Sequence, residues 1–220
     1  MLKINRQSAG KKKALAYITG VYLGDGCLTH IKKYNCFSFR LNTIDYDFAE
    51  ATAEALEILS GKKVNIYTHP VSKSSNPNNS LTANGRDLYF LKEDSWFRSR
   101  IPPFIWKFSK MAQKEFIAGV MDSEGFVSRN SHGSIYMGIK CCDLFIDEFI
   151  KMLRIHHVII GKRGIEKPLH EGYKTPIRYT INAESFWKAQ LYFKIQRKMI
   201  RLKNAFLSSE TIRRPSEMRI

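Results

Sequence analysis

The sequence predicts an α+β fold of two similar halves, each running helix, two strands, helix, two strands, helix. Three observations predict it. A helical stretch that closes on a small residue, an acid and a glycine occurs twice. Each copy is followed by a segment in which apolar and polar residues alternate, the period of a half-buried strand. The order of elements after the first copy then returns after the second.

The repeated stretch is LAYITGVYLGDG from Leu15 to Gly26 and FIAGVMDSEG from Phe116 to Gly125. Aligned on their glycines, the two place Asp25 and Glu124 at the same position, 99 residues apart. A period that long means two halves rather than a solenoid. Gly20 and Gly24 lie four apart on one helix face, as do Gly119 and Ser123, and a face of small residues lets two backbones approach closely. Glycine inside a helix costs about 1 kcal/mol against alanine, so close packing is expected to offset that loss. Gly26 and Gly125 suit the left-handed conformation common just past a helix end. A carboxylate there faces the negative end of the helix dipole. Two of them about 6 Å apart repel by roughly 3 kcal/mol at an effective dielectric of about 20. Divalent cations remove that conflict, because hard oxygen donors suit magnesium or calcium. Ordinary core helices would explain either copy alone, but not both in register.

In chain order, residues 1–13 form a basic arm and 14–25 the first motif helix. A strand at 27–31 and a turn at 32–35 lead into 36–43, where Phe37, Phe39 and Leu41 face a core and Ser38, Arg40 and Asn42 the opposite side. An amphipathic helix over 45–59 is ended by Ser60-Gly61. A strand over 64–69, a Ser/Asn/Pro loop over 72–80, a closing strand over 81–84 and a short helix over 86–91 complete the first half. Pro102-Pro103 breaks the connector. The second half repeats the order: motif helix from 113, strands 126–130 and 134–142, helix 143–154, strands 158–165 and 176–182, helices 183–193 and 195–208. Here Ile135, Met137 and Ile139 face inward and Tyr136 and Lys140 outward, while Arg178, Thr180 and Asn182 share a polar face. His156 and His157 read as helix-end histidines, since neighbouring residues diverge and no acid sits at ligand spacing. The division is residues 1–100, a connector 101–112, and residues 113–220.

Composition narrows the function. In 220 residues, 36 Lys and Arg stand against 20 Asp and Glu, a net charge of +16. An excess of that size points to a polyanion, and nucleic acid is the usual one. Hydrophobic residues at 44% supply a core. Cys27, Cys36, Cys141 and Cys142 form no CxxC pair, which argues against a zinc site and for reduced thiols in an intracellular protein. Lys11-Lys12-Lys13 before an apolar run imitates a signal peptide, but the run breaks at Gly24-Asp25 and its twin lies mid-chain. No stretch approaches the length of a membrane span.

The two copies resemble the signature of the LAGLIDADG homing endonucleases in their single-chain, two-motif form. The motif's penultimate acid matches at Asp25 and Glu124; its earlier acid is kept at Asp122 and replaced by Leu23. The resemblance implies a saddle of antiparallel sheets over DNA, with the motif helices at the interface. It also implies site-specific, magnesium-dependent cleavage of both strands by a monomer, with calcium expected to bind without supporting cleavage. Asp25 and Glu124 are the expected metal ligands, with the Gly24 and Ser123 carbonyls beside them, each acid serving one strand. The resemblance further implies a basic residue near the end of each half. By position these are Arg100, 75 residues after Asp25, and Arg201, 77 after Glu124, with Lys107 and Lys198 as substitutes.

Double-stranded DNA offers phosphates for affinity and base edges for specificity, and a β-ribbon fits its major groove. The expected strand contacts are Arg40, Asn42, Tyr67, His69, Asn84, Tyr136, Lys140 and Arg178. Loop residues Lys32, Lys33, Lys73, Lys162, Arg163 and Lys174 are expected at phosphates. Two other readings use the same surface: an intron-RNA-binding maturase and a DNA-binding regulator without catalysis. The retained acids argue against both, and tight RNA binding without DNA cleavage would favour the maturase.

Overall fold

The computed structural model describes residues 8–69, 78–85, 88, 99–129, 135–167 and 174–213, the last seven by backbone alone. Helix α1 (Ala9–Leu23) and helix α4 (Lys110–Glu124) carry the two motifs. Each begins on a serine whose Oγ accepts a backbone N–H at 3.4 Å, Ser8 from Lys11 and Ser109 from Ala112, so one orphan donor of each first turn is satisfied.

In the first half, β1 (Cys27–Ile31), β2 (Cys36–Thr43), β3 (Ile66–His69) and β4 (Asn78–Gly85) form an antiparallel sheet in the order β1-β2-β4-β3, with α2 (Tyr46–Ser60) on one face. In the second, β5 (Gly125–Arg129), β6 (Ile135–Cys141), β7 (Ile160–Ile165) and β8 (Ile177–Ile181) repeat that order as β5-β6-β8-β7, with α5 (Ile146–Ile155) packed on β7. Short α3 (Pro103–Trp106) lies in the connector, and α6 (Ala183–Lys188) and α7 (Gln196–Arg213) close the described chain. No helix among the described residues is long and apolar enough to cross a membrane.

The alternation read from sequence sets the sheet faces. Phe37, Phe39 and Leu41 are buried against α2, while Arg40 and Asn42 are exposed; Met137, Ile139 and Cys141 are buried while Tyr136 and Lys140 are exposed. Ser38 departs from the pattern. It is buried, and its Oγ has no hydrogen-bond partner among the described residues.

Other differences have local causes. Asn78 to Ser80, expected in a loop, belong to β4. There Asn79 accepts from Thr68 Oγ1 at 2.9 Å and donates to Ile44 O at 3.3 Å, bonds that override low strand propensity. The loop residues 70–77 lie outside the described residues, as does most of the expected helix at 86–91. Helix α6 stops at Lys188, short of 193, because Gln190 turns left-handed (φ 56°). Gln190 N–H then bonds Trp187 O, and Leu191 N–H bonds Phe186 O, the pairing of a Schellman motif that folds Leu191 and Phe193 into the core. His157 (φ 63°) does the same after α5. Beside it His156 is buried, its Nε2 3.1 Å from Gln113 Oε1, and burial lowers its pKa to about 4. That histidine is a neutral packing group.

Two apolar cores flank the motif helices, and the helices trade residues between them. Ala16 and Leu23 of α1 pack in the second-half core, while Ala118 of α4 and Ile195 pack in the first.

Candidate active site at the helix seam

Helices α1 and α4 run side by side in the same direction, and their small residues are in contact. A Cβ on Gly20 would lie 2.4 Å from Phe116 O, and one on Gly119 would lie 2.3 Å from Tyr17 O. One turn later a Cβ on Gly24 would lie 2.3 Å from Ser123 Cβ and 3.2 Å from Glu124 Cγ. The seam therefore brings both acid-bearing helix ends together. Asp25 is exposed, two residues past the end of α1; Glu124 is half-buried as the last residue of α4.

The two glycines after the acids are not left-handed. Among the described residues Gly61 is the glycine with positive φ, and Gly125 is extended (φ −79°, ψ 149°). Close approach requires them instead. A Cβ on Gly26 would lie 2.9 Å from Phe39 Cζ, and one on Gly125 would lie 2.4 Å from Met121 O.

The copies differ one turn earlier. Leu23 is buried in apolar contacts, whereas Asp122 is a buried carboxylate. It accepts from Tyr17 Oη at 3.0 Å and from the backbone N–H groups of Lys194 (3.0 Å) and Ile195 (3.2 Å). Burial raises its pKa to about 6, against the lowering effect of those hydrogen bonds and of Lys198. The first-half acids hold the same segment: Asp47 accepts from Gln196 N–H, and Asp45 pairs with Arg197, whose Nη2 lies 2.7 Å from Oδ2. The start of α7 is thus fastened to both halves.

That anchoring brings Lys198 to the seam. It is buried, and its Nζ donates to the carbonyls of Asp122 at 2.6 Å and Met121 at 3.1 Å, capping the last turn of α4. Burial lowers its pKa to about 8, and the charges of Asp122 and Asp25 act in the other direction. Arg201, one turn on, donates from Nη1 to Val127 O at 3.2 Å and lines a cavity with Ser128, Arg129 and Ile135. Arg100 is exposed and precedes Ile101, whose N–H bonds Glu148 Oε2 on α5 at 2.8 Å; Lys107 is exposed at the end of α3. Of the four basic residues considered, Lys198 is the one with described contacts at the seam. The identity of the buried partner, Asp122, was visible in the sequence as the motif acid that Leu23 lacks.

No group of three or more His, Cys, Asp or Glu side chains forms a metal cluster among the described residues. A divalent ion at the seam would draw on Asp25, Glu124 and the carbonyls of Gly24 and Ser123, an all-oxygen set that suits magnesium.

The expected strand contacts sit on the sheet faces away from the cores, whereas Arg163, expected at a phosphate, stands opposite buried Tyr179 on the core side of the second sheet. Arg40, Asn42, Tyr67, His69 and Asn84 are exposed on the first sheet, with His69 Nε2 2.8 Å from Ser80 Oγ; Lys32 and Lys33 are exposed in a 3₁₀ turn beside it. On the second sheet Tyr136, Lys140, Lys162 and Arg163 are exposed and Arg178 is half-buried. Three of these cations have acidic partners: Lys174 pairs with Asp143 at 2.7 Å, and Lys140 and Arg178 share Glu166. Lys73 lies outside the described residues.

No family model matches the chain. It is 25% identical over 206 residues to an uncharacterized protein of Methanocaldococcus jannaschii, covering 89% of this chain and 72% of that protein. Among solved structures it is similar to the homing endonuclease I-WcaI bound to its DNA recognition sequence, with a TM-score of 0.59 and 12% identity over 89% of each chain. It is also similar to the N-terminal LAGLIDADG domain of WhiA, with a TM-score of 0.52 and 14% identity over 97% of this chain and 88% of that one.

Proposed function

This chain adopts the LAGLIDADG fold, and from that premise we propose that it is a site-specific endonuclease that makes a double-strand break in duplex DNA by metal-dependent hydrolysis. The observation that supports the reading is the packing of Gly24 on Ser123 and Glu124, which puts the two acid-bearing helix ends in contact. The I-WcaI neighbour, described bound to its DNA recognition sequence, supports duplex DNA as the partner. The net charge of +16 supplies the affinity for phosphates.

Asp25 and Glu124, with the Gly24 and Ser123 carbonyls, would hold magnesium, which supplies relief of charge at the phosphate and a water of lowered pKa. The chain's own part is positional. The glycine contacts fix the spacing of the acids, and Lys198 offsets the negative potential of the α4 terminus. The exposed strand residues hold the duplex over the seam.

The test is to select cleaved duplexes from a randomised library in magnesium, then repeat with the D25N/E124Q double variant. The expected result is cleavage by the wild type and loss of it in the variant, with duplex binding retained. Cleavage that survives both changes refutes the assignment of the acids. Tight binding of structured RNA with every duplex left intact favours the maturase.

A further inference from the structure

Lys140 and Arg178 are directly opposed residues on β6 and β8, and both reach one carboxylate. Glu166 Oε2 lies 2.6 Å from Lys140 Nζ, and Glu166 Oε1 lies 3.3 Å from Arg178 Nη1. Glu166 follows β7, and its N–H bonds Pro176 O at 3.1 Å, so the strand pairing continues past β7 and fixes the backbone that carries the acid. The arginine is held from a second side. Its guanidinium carbon sits 4.9 Å from the Phe126 ring centre and 5.3 Å from that of Tyr136, and the two rings meet edge to face at 5.7 Å. Gly138 makes room for this, since a Cβ there would lie 2.6 Å from Phe126 Cζ. Arg178 Nε is buried without a hydrogen-bond partner among the described residues.

Among the described residues the first sheet has no such arrangement. Arg40, on the strand that corresponds to β6, stands opposite Cys27 and Thr82. A lysine on a free four-carbon stem takes any phosphate within reach, whereas one tied to a fixed carboxylate offers its remaining donors in one place. Lysine and arginine so held match the O6 and N7 acceptors of guanine in the major groove. The carboxylate repels phosphate and accepts from cytosine N4 alone among major-groove donors of a G·C pair.

Resting on the nuclease reading above, we propose that Glu166 is a specificity-determining residue of the second sheet: it holds Lys140 and Arg178 for base edges and withholds them from phosphates. Its effect is on discrimination rather than on raw affinity.

The experiment uses the full chain as wild type, E166Q and R178K, with binding to the selected duplex and to a scrambled duplex measured over a range of potassium chloride. E166Q is expected to bind the scrambled duplex about ten-fold more tightly, with a salt slope steeper by about one phosphate contact. It is also expected to lose about ten-fold or more of its discrimination, and only at those base pairs that R178K relaxes as well. R178K keeps the charge and leaves the salt slope unchanged, so it carries the specificity test by itself if E166Q fails to fold. A wild type that prefers one duplex while both variants keep its full preference overturns this inference alone. A uniform loss at every base pair also overturns it. A wild type that prefers no duplex overturns the nuclease reading and this inference with it.

Discussion

Tyr17, on the first motif helix, donates its hydroxyl to Asp122 on the second across 3.0 Å of buried space. The bond crosses the seam between two repeats whose sequences differ at that point, and the asymmetry is structural. Where the first repeat has Leu23 filling a core, the second has a carboxylate that organises the chain segment entering α7.

Replacing Asp122 by Leu, the residue of the other repeat, is therefore not a neutral exchange. It leaves the Tyr17 hydroxyl and the Lys194 and Ile195 N–H groups without their acceptor and removes the counter-charge to Lys198. The expected loss is about 3 kcal/mol or more, against about 1 kcal/mol for Y17F, measured by urea unfolding. A D122L protein as stable as the wild type would show that these bonds contribute nothing net.

Lys198 gives a pH signature. Its pKa in the folded protein, about 8, lies below the ordinary 10.5. Between those values the unfolded chain holds more protons than the folded one, so stability rises with pH across that window. The burial penalty is fully present below about pH 8. The rise is roughly 3 kcal/mol at most, from the size of the shift. K198M is expected to flatten the stability curve between about pH 8 and 10.5, read from urea midpoints. An unchanged slope would place the titration elsewhere.

At the crossing, G119A puts a methyl 2.3 Å from Tyr17 O and 3.0 Å from Val21 N, both backbone atoms that move only if the helices separate. The overpacking cost is about 2 kcal/mol or more and exceeds the helix-propensity gain of about 1 kcal/mol. G10A is the control. Gly10 lies in the first turn of α1 with nothing within 4 Å of an added Cβ, so only the propensity gain remains. The two variants are expected to shift the unfolding midpoint in opposite directions.

Much of this architecture is legible in the chain because it is local. The alternation around Phe39 and Ile139 sets the sheet faces, and the repeated small residues at Gly20 and Gly119 give the seam. What escaped depends on partners distant in sequence or on the details of a turn. Gly26 and Gly125 read as left-handed caps, because sequence shows a glycine after a helix but not the Phe39 ring or Met121 carbonyl pressed against it. Ser38 obeys the polar alternation and is buried all the same. Gln190 ends α6 in a conformation that usually calls for glycine, so no breaker marked the stop. Glu166 carries no local signal, because its meaning comes from Lys140 and Arg178, 26 and 12 residues away in sequence and brought to it only by the β6-β8-β7 pairing.

The exchange of apolar residues across the seam has one more consequence. Leu23 completes the interior of the opposite repeat, as Ala118 does in return, so neither repeat owns a finished interior. Severed in the connector, each fragment would present an unfilled hollow shaped for the other, and the two would melt together or not at all. The spacing of the two halves is then set by how those side chains interlock, and it cannot change without opening both interiors.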